Sequence, residues 1–218
     1  MGDTLGWQSP APPTGTSAWY ERLAPLSTDR WHVRCWMHDR HPDGEVIVSP
    51  GDHSGDFLLW DADVDAQDRP VLSISPAVRT GSPEVWFVEL HGEDAHGPAV
   101  TLVAFDTPHL PPGTVVTDPV FFHMPVRSEQ QVAAVRWWRN DAVVDQVYVR
   151  PDMRRSHLSI HVLYAASAFH QLHGWPGRLH SDGRRTVLGE ALAEHLRATG
   201  RIAPLEHLLT PMDPPADA

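Results

Sequence analysis

Residues 147–172 read VYVRPDMRRSHLSIHVLYAASAFHQL, and they decide the fold because they join a strand, an arginine-rich turn and the longest helical pattern in the chain. Val147, Tyr148 and Val149 are residues that suit a pleated, half-buried surface. Pro151 has no backbone N–H and ends the strand. From Leu158 to Leu172 the sequence is Ala-rich and apolar on most faces; Gly174 follows as a C-terminal cap and Pro176 stops the helix. A helix apolar on so many sides packs against a sheet. Its first turn exposes N–H groups without intrahelical partners and a partial positive charge, so a strand, a tight basic turn and a helix start form a recurring anion site. Arg150, Arg154 and Arg155 add side-chain donors there.

Upstream of this stretch, residues 120–126 (VFFHMPV), 131–139 (QVAAVRWWR) and 143–149 (VVDQVYV) read as three strands. Asn140-Asp141 supplies the hairpin turn between the last two. Downstream, a short strand at 178–181 (RLHS) precedes a turn at Asp182-Gly183. A second helix then runs over Val187–Ala198, with Thr186 as N-cap and Gly200 beyond its end. Earlier in the chain, Trp31–Phe105 alternates β-branched and aromatic runs with Gly, Pro and Asp punctuation, the pattern of a β-meander. AWYERLAPL (18–26) reads as a short helix before it, and no internal repeat is visible. The fold class is therefore α+β: a flexible arm at 1–17, a β-rich portion at 18–112, a mixed portion with two C-terminal helices at 113–209, and a tail at 210–218.

Composition narrows the function. The chain has 218 residues, 41% hydrophobic and 21% charged, including 9 Trp, which is a soluble globular balance with ample apolar area for a core. No stretch approaches the roughly 20 apolar residues of a membrane span, and the N-terminus lacks a targeting pattern, so a cytoplasmic location without membrane association is expected. The single Cys35 lies in WHVRCWM and reads as a buried structural thiol. Residues 1–112 hold 6 Arg and 17 acidic residues, whereas 113–218 hold 11 of each, so the net charge of −11 arises in the first half. That acidity argues against a nucleic-acid partner. His157 and His161 share a helix face, but HLSIH lacks the glutamate of a zinc-protease motif, and no metal is expected.

At Val149, Pro151 and Arg154 and along the following helix, the chain resembles the GNAT superfamily of N-acyltransferases, whose members end a strand in a V.P..R pattern before a pyrophosphate loop and helix. The later order, strand RLHS, turn and helix RRTVLGEALAEHLRATG, is also similar to that fold, so the likeness covers about 70–85 residues. The resemblance implies a GNAT-like mixed sheet, acetyl-CoA or another acyl-CoA as co-substrate, and a small-molecule or peptide amine as acceptor. It assigns the pantetheine arm to Val147 and Val149, and the pyrophosphate to Arg150, Arg154, Arg155, Ser156, His157 and Ser159. Asp145 is the candidate base, acting through water. Tyr164 and His195 are the candidate acids, Tyr164 having a core role as its alternative.

Two departures bear on the function. His157 and Ser159 stand where the family has loop glycines, and Leu196, with His195 beside it, stands where many members have a tyrosine. The leading expectation is an acyl-CoA-dependent N-acyltransferase. Its rival is a catalytically inactive GNAT-like scaffold, an interaction or structural protein of phage or mobile-element type. A homodimer is compatible with either.

Overall fold

Along Trp31–Met37 the buried residues are Val33, Cys35 and Met37, the period-two pattern of a strand with one face on a core. The computed structural model describes residues 17–48, 53, 55–194 and 199–208. Its strands are β1 (Ala18–Pro25), β2 (Trp31–Met37), β3 (Val46–Val48), β4 (Phe57–Val64), β5 (Pro70–Ile74), β6 (Trp86–Asp94), β7 (Gly97–Phe105), β8 (Val115–Thr117), β9 (Gln131–Trp138), β10 (Val143–Val149), β11 (Arg184–Arg185) and β12 (His207–Leu208). The helices are α1 (Asp118–Phe121), α2 (Leu158–Leu172) and α3 (Val187–Ala193), with three short 3-10 turns. The α+β class stands, with strands dominating.

Two five-stranded mixed sheets share one topology. The first has the order β3-β1-β2-β4-β5 and the second β8-β6-β7-β9-β10. In each, the first two strands form an antiparallel hairpin, the third lies parallel to the first, and the fourth and fifth add antiparallel beyond the second. The registers coincide as well: Val46, Tyr20, Cys35, Trp60 and Ile74 lie side by side across the first sheet, as Val115, Phe87, Ala104, Ala133 and Val149 do across the second. Even the bulge recurs, between Cys35/Trp36 in one sheet and Ala104/Phe105 in the other. The chain is thus an internal structural duplication.

The sheets meet along one seam, where Val71 of β5 bridges Thr114 beside β8, and they do not close into a barrel. Helix α2 packs on both sheets, and its Leu158, Val162, Ala165, Phe169 and Leu172 join the main core. A smaller cluster (Trp86, Val88, Phe105, Val116, Phe121, Val126) lies on the outer face of the second sheet. The equivalent face of the first sheet is polar and aromatic: His53 stacks on Trp36 at 4.4 Å, much as Phe121 lies against Phe105 at 5.2 Å.

Several expectations are corrected. AWYERLAPL is strand β1, because Trp19 and Tyr20 are buried on opposite faces of the first sheet. Residues 120–126 are not a strand; Pro119 in the first turn starts the short α1, and Phe121 and Val126 fill the outer cluster. RLHS forms only isolated bridges through His180 and Ser181. In the 138–143 turn the positive φ falls at Ala142 (55°), not at Asn140 or Asp141. The division at 112/113 runs through the second sheet, since β6 and β7 belong with β8–β10. Helix α3 starts on the expected cap, Thr186 Oγ1 accepting from Gly189 N at 3.1 Å; it is described to Ala193, and residues 195–198 lie outside the described residues. Helix α2 keeps the expected bounds. Cys35 is buried, and burial pushes its thiol up to about 12.

Candidate functional site

The turn between β10 and α2 begins where Arg150 N donates to Val132 O at 2.9 Å and ends at His157, whose left-handed backbone (φ 59°) turns the chain into α2. Arg150 grips Asp152 with two side-chain bonds, at 2.7 and 3.0 Å, and Ser156 Oγ donates to Met153 O at 2.6 Å. Both are occupied within the turn. Arg154 and Arg155 are exposed and have no carboxylate partner among the described residues, and His157 is exposed. Ser159 is half-buried in the first turn of α2. The expected cofactor residues of the turn therefore do gather at the helix start, but the glycine-free loop and the left-handed His157 put side chains where pyrophosphate would need open backbone.

The other candidates do not converge there. Asp145 lies on β10 within an ion pair, because Arg136 donates to both Asp145 and Asp94. Tyr164 packs against the main core. Val147 and Val149 pair with β9 at Val135 and Ala133, and they too pack against the core. Among the described residues the free edge of β10 is bridged only at Val143, by His180. His195 lies outside the described residues. His161, expected beside His157, is buried against Ser82 Oγ at 3.1 Å; burial, with Arg79 adding to it, pushes its pKa down to about 3. Among the described residues no group of three or more His, Cys, Asp or Glu side chains is placed to hold a metal.

The turn has a twin. Residues 74–79 read ISPAVR and 149–154 read VRPDMR, at equivalent places in the two sheets. Ser75 N donates to Leu59 O at 2.9 Å, as Arg150 N does to Val132 O; Val78 N then donates to Ser75 O at 3.1 Å, as Met153 N does to Arg150 O at 2.9 Å. Leu59 and Val132 are the extra residues of the two equivalent bulges. In the first copy Arg79 turns inward, donating to Ile74 O at 3.0 Å and to Glu84 at 2.6 Å. No internal repeat is legible in the sequence; the matching registers show that the two Pro-x-x-Arg turns are one structural device. No family model, curated protein or solved structure matches the chain.

Proposed function

We propose that the chain is a non-catalytic scaffold, an interaction or structural protein built from two copies of one five-stranded sheet around α2. The observation that carries this reading is the twin turn. The Pro151–Arg154 pattern that likens the chain to acyltransferases recurs at Pro76–Arg79, where no long helix follows, so the fold accounts for it without a cofactor. The ion-paired Asp145 and core-packed Tyr164 support the same reading. A second reading, acyl-CoA-dependent N-acyl transfer on a GNAT-like second half, is favoured by the exposed Arg154 and Arg155 beside the start of α2. Calorimetry of the full chain with acetyl-CoA separates the two. The scaffold reading expects no saturable heat; micromolar binding that disappears in Arg154→Ala would overturn it.

A further inference from the structure

Duplication implies two seams between the sheets, and among the described residues one is formed. At the first, Leu72 N donates to Gly113 O at 2.9 Å and the strands bond directly. At the position related by the duplication, β10 and β3 form no bridge among the described residues. The C-terminal segment stands between them, with His180 bridging Val143 on one side and Arg201 holding Asp43 and Tyr20 on the other. This wedge leaves a groove of about 300 Å³ between β1, β3 and the loop after α2, and it adjoins a second groove of about 490 Å³ at Gly177 and Arg178.

Arg22 of β1 lines the smaller groove. Its guanidinium carbon sits 4.7 Å from the ring centroid of Trp31, and its Nε is buried without a hydrogen-bond partner. No carboxylate pairs with it among the described residues, and burial alone lowers its pKa from the usual value. Glu21 is next in sequence but lies on the opposite face of the strand, accepting from Trp36 Nε1 at 2.6 Å. The other charges at these grooves are Arg178 and Arg201, which share Asp43, and Asp141 at the far rim. Asp43 is thus occupied by Arg178 and Arg201, and neither it nor Asp141 pairs with Arg22. A half-buried guanidinium lacking an acceptor is costly unless something fills its donor sites.

We propose that this groove binds a carboxylate carried on a small apolar or aromatic body, with Arg22 as the anchoring donor. The planar fork of Arg22 can hold a carboxylate through two parallel bonds, and Trp31 beneath it keeps the guanidinium flat and in place. Val46, Trp175 and Pro176 give the groove an apolar wall for the rest of the ligand. The carboxylate could come from a free organic acid or from the C-terminus of a peptide, since both present the same group. This site lies at the opposite end of α2 from the Arg154 turn, so its failure would leave the proposed scaffold role untouched.

The test is titration of the full chain with benzoate and with its neutral counterpart benzamide, read by tryptophan fluorescence and calorimetry. Benzoate is expected to bind saturably and benzamide about tenfold more weakly or less. Arg22→Met keeps an apolar stem over Trp31 and removes the unpaired charge; it is expected to lose the benzoate response while its thermal midpoint holds or rises. Arg22→Lys keeps charge without the fork and should bind weakly, giving a second reading should the Met variant fold poorly. A phenylalanyl peptide with free and with amidated C-terminus distinguishes the sources: tighter binding of the free form than of benzoate marks a peptide tail, and weaker binding a free acid. A benzoate response that benzamide equals, or that survives in Arg22→Met, overturns the proposal, as does no response at millimolar benzoate.

Discussion

Arg201 donates to the phenol oxygen of Tyr20 at 2.8 Å across 181 positions of the chain. The same guanidinium holds Asp43 at 3.0 Å and the carbonyl of Ala18 at 3.0 Å, so one partly buried side chain ties the C-terminal segment to the first sheet. Arg178 shares Asp43 at 2.9 Å. Arg201→Met would leave Asp43 with Arg178 and the Ala18 N–H as partners and Tyr20 without the Arg201 donor. A loss of about 3 kcal/mol in urea unfolding is expected, and a loss no greater than that of an exposed control such as Arg127→Met would show the clamp to be unimportant.

Gly113 occupies the formed seam with φ +79°, and a Cβ there would lie 2.4 Å from Leu72 O. Its own N–H donates to Val85 O at 2.8 Å and its carbonyl accepts from Leu72 N, so the backbone cannot retreat without unbonding the sheets. Gly113→Ala should destabilise by about 3 kcal/mol or prevent folding. Gly97→Ala is the control: φ is also positive (107°) but nothing lies within 4 Å of the added Cβ, so the smaller loss there measures backbone strain alone.

Acid should unfold the protein in a window set by histidines. Burial holds His161 at about 3 and His170 and His173 at about 4. His170 accepts from Trp137 Nε1 at 3.2 Å while its other nitrogen faces Pro176 O at 2.9 Å, an arrangement open only to the neutral ring. An unfolded histidine titrates near ~6.5. Between that value and the folded ones the unfolded chain binds protons that the folded chain does not. Stability is therefore complete above pH ~6.5 and falls toward pH ~4, by up to about 1.4 kcal/mol per pH unit for each histidine. Asp61 acts lower: burial opposes its ionisation, but bonds from His32 and Arg34 prevail and hold its pKa below 3.8, so its contribution is present above that range and lost beneath it. Urea midpoints measured across pH should show the histidine slope flatten in His161→Gln; an unchanged slope would contradict the neutral buried ring.

Asp145→Asn removes one arm of an ion pair whose other arm, Arg136 with Asp94, remains. The thermal midpoint should be nearly unchanged, because such pairs near the surface contribute little. If acetyl-CoA hydrolysis or amine acetylation is found in the wild type and vanishes in this variant, Asp145 is a base after all and the scaffold reading fails.

Local signals in the sequence suffice where a residue's own chemistry decides the outcome. Leu158–Leu172, the Thr186 cap and the turn at Gly183 (φ 85°) depend on periodicity, a side-chain acceptor and a missing Cβ. Residues 18–26 are ambiguous in the sequence because WYERL satisfies helical spacing as readily as alternation, and burial on both faces of a sheet settles the matter only once the neighbouring strands exist. The candidate turn was legible as a contiguous motif. Its twin is not legible there because paired positions keep apolar character and not identity: Tyr20 answers Phe87, Cys35 answers Ala104, and Trp60 answers Ala133.

By itself the sequence determined the α+β class, the long central helix, and the acidic charge of the first half, since each follows from residue type and short-range spacing. Tertiary structure alone decided that two sheets repeat one register, that α2 lies between them, and that one seam forms while the other is wedged open beside Arg22. Strand partners and the pairing of charges are set by contacts between residues far apart in the chain. Many pairings satisfy the same alternation, and only simultaneous packing of both sheets on α2 selects one.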